Sequence, residues 1–89
     1  MDLVEYPIDG VLDLHAFHPR DVKNLITEYI NVCLEKGLDQ IRIIHGKGTG
    51  TMRRIVRSEL DKNPRVEGYW HEGGSGGSWG ATIVRLRTS

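Results

Sequence analysis

The sequence predicts a small α/β domain in which a mixed four-stranded sheet carries two helices on one face, in the order β-α-β-α-β-β. Three observations predict it. Short apolar, largely β-branched runs alternate with two stretches whose apolar residues recur at helical spacing. Glycine is concentrated in two loops, with three of the eleven glycines in residues 46–50 and five in residues 73–80. A chain of 89 residues has room for one core and not two, so the elements stack as two layers.

Residues 1–10 show no periodicity and are punctuated by Pro7 and Gly10, which reads as an extended N-terminal arm before a domain over 11–89. Val11 to His15 reads as the first strand, with Leu12 and Leu14 on one side and Asp13 and His15 together on the other. His18-Pro19-Arg20-Asp21 opens a helix: proline suits the first helical position and Asp21 complements the helix dipole, with His18 as a cap or loop residue. Val22, Leu25, Ile26, Tyr29, Ile30 and Cys33 form its single apolar stripe, and Lys36-Gly37 ends it. Leu38 to His45 reads as the second strand. Thr51 starts the second helix, with Met52, Ile55, Val56 and Leu60 apolar and Asn63-Pro64 as its stop. Arg65 to Trp70 is the third strand, packing through Val66 and Tyr69. A glycine-serine loop follows, in which Trp79 reads as a packing residue, and Ala81 to Leu86 is the last strand.

Composition narrows the function classes. Twelve basic and twelve acidic residues balance, which argues against a strongly cationic nucleic-acid coat protein but leaves room for a local patch. Asp2, Glu5 and Asp9 gather near the start, whereas Lys47, Arg53, Arg54 and Arg57 gather in the middle. No apolar run approaches a membrane span and no leader pattern opens the chain, so a cytoplasmic protein without membrane contact is expected. Cys33 is the sole cysteine; on an apolar helix stripe it reads as a buried, inert thiol.

The stretch Ile-Arg-Ile-Ile-His-Gly-Lys-Gly-Thr-Gly-Thr over 41–51 carries the chemistry. A strand runs into a glycine-rich turn and then a helix N-terminus, where backbone N–H groups favour an anion. His45, Lys47, Arg53 and Arg54 add donors and positive charge to the same place. Neither common nucleotide motif fits: Lys47 lies between glycines rather than after the last one, and position 51 is Thr51 where a dinucleotide fingerprint needs glycine. The plain alternative is a tight turn in which the glycines serve the backbone alone. Likewise, Asp13 and His15 on strand parity alone are the solvent face of a half-covered strand. Convergence favours a site. If the first two strands are parallel neighbours, His15 and His45 end them at the same carboxyl edge, where open α/β sheets bind ligands. With two histidines, one aspartate and no cysteine cluster in reach, a structural zinc site is not expected.

Leu12-Asp13-Leu14-His15, then Ile44-His45-Gly46-Lys47-Gly48-Thr49-Gly50 with Met52-Arg53-Arg54, then Gly80-Ala81-Thr82-Ile83-Val84 together resemble the small MutS-related (Smr) domain over about 11–86. The resemblance implies a fold like the C-terminal domain of translation initiation factor three. It also implies an endonuclease, nicking DNA or cleaving RNA, with a non-catalytic nucleic-acid-binding module as the alternative. By the same resemblance Asp13 and His15, with His45, are catalytic, and Gly46, Lys47, Gly48, Thr49, Gly50, Arg53 and Arg54 bind nucleic acid. His15 or His45 would serve as general base or acid, and Asp13 would orient a histidine or hold a divalent cation, Mg²⁺ or Mn²⁺. The family usually has glycine after the LDLH motif, and this chain has Ala16. If that glycine needs positive φ or leaves room for a phosphate backbone, Ala16 lowers activity or favours the binding module. A third reading, a small-phosphate enzyme, is less favoured because so short a chain shows no deep pocket. Neutral net charge predicts modest, salt-sensitive affinity, or a partner protein that supplements it.

Overall fold

The computed structural model describes residues 8–46, 50–72 and 80–88. β1 is Val11–Asp13, followed by one 3₁₀ turn, Leu14–Ala16; α1 is Pro19–Glu35, β2 Gln40–Ile44, α2 Thr51–Lys62, β3 Val66–His71 and β4 Ala81–Leu86. The β-α-β-α-β-β order holds as the sequence predicts.

Local chemistry sets both helices. The His18 side chain accepts a hydrogen bond from the Arg20 N–H at 3.2 Å, and Pro19 occupies the first turn. All six residues of the apolar stripe of α1, Val22 to Cys33, are buried. Gly37 takes a φ of 81° just past the helix, a conformation that favours glycine. In α2, Val56 and Leu60 are buried, and Met52 and Ile55 pack at the edge of the same core.

The strand order is β1-β2-β4-β3. β1 and β2 are parallel, and β4 is antiparallel to both β2 and β3. Each strand-helix-strand unit returns the chain in the same direction, so β1, β2 and β3 all run one way with β4 inserted against them. The carboxyl ends of three strands and the start of the fourth therefore share one edge. Leu12, Ile41, Ile43, Val84 and Leu86 from the sheet join both helices in one hydrophobic cluster. Alternate residues point the other way: Val11, Arg42, Ile83 and Trp70 form a row across the uncovered face. On that face Arg42 makes a bidentate ion pair with Glu72. Ile8 packs on the core and the Gly10 carbonyl accepts from the Arg42 N–H at 2.7 Å. The Tyr29 hydroxyl spans the same place, accepting from the Gly10 N–H and donating to the Val11 carbonyl.

Three strand limits differ from expectation. The first strand stops at Asp13, leaving His15 outside it; the second spans Gln40–Ile44, leaving Leu38 and His45 outside; the third begins at Val66 and extends to His71. Asp13 accounts for the first. Its carboxylate accepts from the His15 N–H at 2.9 Å, a local bond that competes with the ladder and turns the backbone into the 3₁₀ turn. Ala16 ends that turn, and every described non-glycine residue has negative φ, so Ala16 meets no left-handed strain.

Candidate active site at the sheet edge

Three chain segments that are remote in sequence meet at the common edge. Asp13 and His15 arrive from the end of β1, His45 and Gly46 from the end of β2, and Gly80 and Thr82 from the start of β4. Strand alternation does not pair Asp13 with His15, as parity had suggested; the turn does. Asp13 Oδ1 lies 2.6 Å from His15 Nδ1 and also accepts the His15 N–H. A carboxylate can only accept from Nδ1–H, so in the neutral form of the ring the other nitrogen, Nε2, carries the lone pair. These hydrogen bonds, first the backbone N–H and then the ring, together with the His15 charge hold the Asp13 pKa below its ordinary value. Both side chains are solvent-accessible, 64% exposed for His15 and 55% for Asp13. An ionised carboxylate thus orients an accessible imidazole, the arrangement that makes histidine an effective general base.

Two glycines fit these segments together. A Cβ on Gly46 would lie 3.0 Å from His15 Nε2, and Gly46 has a φ of 78°. A Cβ on Gly80 would lie 2.7 Å from the Gly46 carbonyl carbon. The Gly80 carbonyl accepts from both the His45 and Gly46 N–H groups, at 2.7 and 2.9 Å. His15, Gly46 and Gly80 are therefore stacked in that order, with no room for a side chain between them.

His45 occupies a different environment from His15. It is 8% exposed. Nδ1 lies 3.2 Å from the Gly46 carbonyl and Nε2 2.9 Å from Thr82 Oγ1, so Nδ1–H donates to the carbonyl and the Thr82 hydroxyl donates to Nε2. Burial pushes its pKa down, the Gly46 carbonyl opposes this, and the electrostatic effect of Arg53 and then of His71 adds to the fall. The neutral ring ties β2 to β4, and both its nitrogens are occupied.

Of the remaining predicted residues, Arg53 lies near enough to His45 for its charge to act on that ring. Arg53 and Arg54 are exposed on α2, and Gly50 takes a φ of 89° as its N-cap, without a side chain to cap the helix. Lys47, Gly48 and Thr49 fall outside the described residues, as do Trp79 and residues 1–7 of the N-terminal arm. Asp13 has one carboxylate oxygen free of His15. Among the described residues no group of three His, Cys, Asp or Glu side chains is placed to hold a metal ion. Cys33 is fully buried beside Tyr29, and burial pushes its thiol pKa up. No helix among the described residues is long and apolar enough to cross a membrane.

Sequence reasoning gave no role to His71 or Thr82. His71 ends β3 opposite Thr82, so it stands at the same edge as His15 and His45. The available signal was positional: a histidine at the end of a third strand parallel to the first two. That signal could not be read before β4 was known to lie between β2 and β3. Thr82 looked like an ordinary strand residue because its partner lies 37 positions away.

Comparison with known proteins assigns the family and the fold. The Smr domain family model matches residues 12–87. Endonuclease MutS2 of Halothermothrix orenii is 37% identical over 85 residues, which cover 91% of this chain and 10% of the relative. Endonuclease MutS2 of Symbiobacterium thermophilum is 36% identical over 76 residues, again 10% of its length. The chain therefore spans about a tenth of these curated relatives. The crystal structure of the Smr domain of Thermus thermophilus MutS2 superposes with a TM-score of 0.77 at 32% identity, covering 88% of this chain and 98% of that one. YdaL, a stand-alone small MutS-related protein from Escherichia coli, gives 0.76 at 30% identity over 93% of this chain and 68% of its own. By its sequence match, its fold and the meeting of its three motifs at one edge, the chain belongs to the Smr domain family.

Proposed function

We propose that this chain binds nucleic acid and cleaves its phosphodiester backbone, with the Asp13–His15 dyad as the acid–base centre. The observation that carries the reading is the accessible imidazole whose Nδ1 is held by an ionised carboxylate while Nε2 faces the glycine ledge. The name of the relatives, Endonuclease MutS2, supports the same class. His15 Nε2 takes a proton from the nucleophile, water or a ribose 2′-hydroxyl, as that oxygen bonds to phosphorus. The P–O bond to the leaving oxygen breaks, the imidazolium returns the proton to that oxygen, and Asp13 balances the charge on the ring in between. Arg53, with Arg54 and Lys47, holds the phosphate and the charge that develops on it. Asp13, with one free oxygen, would be the ligand for Mg²⁺ or Mn²⁺, which would supply Lewis-acid polarisation of the phosphate. The proposal gives His45 a positioning role, since burial and two hydrogen bonds leave its ring no free nitrogen for substrate.

Cleavage of supercoiled plasmid, single-stranded DNA and labelled RNA, with Mg²⁺, Mn²⁺ or EDTA, tests the reading. His15→Ala is expected to lower the cleavage rate about 10²–10⁴-fold, the usual worth of a general base, while affinity for the same substrate stays within a few-fold. Equal cleavage by the two proteins would remove His15 from the mechanism. Binding without cleavage by the wild type would make the domain a nucleic-acid-binding module.

A further inference from the structure

A second surface leads away from this edge. Along the exposed side of α2, Arg53, Arg54, Arg57, Ser58, Asp61 and Lys62 line an open groove of about 570 Å³ that begins at Gly50. These positions recur at three- and four-residue intervals, so they form one stripe on the helix. Arg53 and Arg54 have no carboxylate partner among the described residues. Among the described residues Lys62 has only a long pairing to Glu59, at 3.7 Å. The single acid of the groove, Asp61, is bonded to the Tyr69 hydroxyl at 2.6 Å. The other helix offers no counterpart: α1 carries two basic and three acidic residues, against four basic and two acidic in α2.

From these observations we infer that α2 is a phosphate track: a nucleic-acid strand held at the Asp13–His15 edge continues along the helix, with Arg57, Ser58 and Lys62 binding backbone phosphates beyond the reacting one. This rests on the proposed nucleic-acid reading and extends it by giving the substrate a direction and a footprint. From Arg53 to Lys62 the helix rises roughly 14 Å, enough to meet several successive phosphates. The contacts are to phosphate and carry no base preference.

The test is the salt dependence of binding, measured by fluorescence anisotropy with the full chain and labelled 30-mers of single-stranded DNA, single-stranded RNA and duplex DNA. Three proteins are compared: wild type, the double variant Arg57→Gln/Lys62→Gln, and the control Arg20→Gln/Lys23→Gln, which removes the same charge from α1. All these side chains are exposed, so unchanged circular dichroism is expected. In the arm with the steepest wild-type dependence, the α2 variant should lower the slope of log K against log salt by about 1.4 to 1.8, two contacts' worth of counterion release. The α1 control should keep the wild-type slope. An α2 variant with the wild-type slope, or an α1 control that loses as much, would overturn the track while leaving nucleic-acid binding in place. No binding by the wild type in any arm would overturn the underlying reading as well.

Discussion

At the scale of single residues the site depends on two glycines and a carboxylate. Gly46 has a left-handed φ and its Cα faces the His15 ring; Gly80 has a φ of 67° and its Cα faces the Gly46 backbone. The two differ in what a methyl group would strike. In Gly46→Ala it meets the end of an exposed imidazole, which can swing aside. The expected cost is the left-handed strain, about 1–2 kcal/mol, together with loss of the proposed cleavage as His15 is displaced. In Gly80→Ala it meets backbone, which cannot yield without pulling β2 from β4. Gly80→Ala should therefore lower Tm further than Gly46→Ala, whose own fall is about 4–8 °C per kcal/mol in a domain of this size. Thermal melts of both variants check this; a smaller drop for Gly80→Ala would mean that the stacking does not hold the edge. Asp13 and His15 were legible in the sequence as a pair. Their turn geometry was not, because one side-chain hydrogen bond competed with strand pairing.

At the scale of elements the helices were the most legible part. Six apolar residues at helical spacing, a proline at the start and a glycine past the end specify α1, and the structure buries all six. Ile30 is fully buried in the hydrophobic core, so Ile30→Ala should cost about 2–5 kcal/mol in urea denaturation. Its exposed neighbour Asn31→Ala should stay within about 0.5 kcal/mol. Similar losses at both positions would mean that α1 does not pack through this stripe. The strands were legible in number and type but not in their ends. A short strand ends where a local bond outcompetes the ladder, as at Asp13, and hydrophobic alternation does not report that contest.

At the scale of the whole molecule the decisive event is the insertion of β4. It brings Thr82 to His45 and Gly80 to Gly46, and so couples the stability of the fold to the protonation of a buried ring. The His45 pKa lies below its ordinary value of 6.5 in the folded state. As pH falls through that value the unfolded chain takes up a proton that the folded one resists. Stability from this group is complete above about pH 6.5 and is lost on acidification towards the folded-state pKa. Denaturant midpoints from pH 7.5 to 5.5 should therefore fall for the wild type and flatten in His45→Gln, which starts lower at neutral pH. An equally steep decline in the variant would assign the acid sensitivity to other groups.

The sequence by itself determined the element order, the helix faces, the two-layer class and the motifs that mark the family, because these depend on local spacing and on residues adjacent in the chain. The tertiary structure decided which histidine is buried and which is accessible, where His71 lies, and why Gly80 cannot carry a side chain. Each of these is set by the packing of β4 between two strands that precede it in the chain. Both histidines follow a short apolar strand and precede a helix, so nothing in their sequence neighbourhoods separates them. A hydroxyl brought from 37 residues away does.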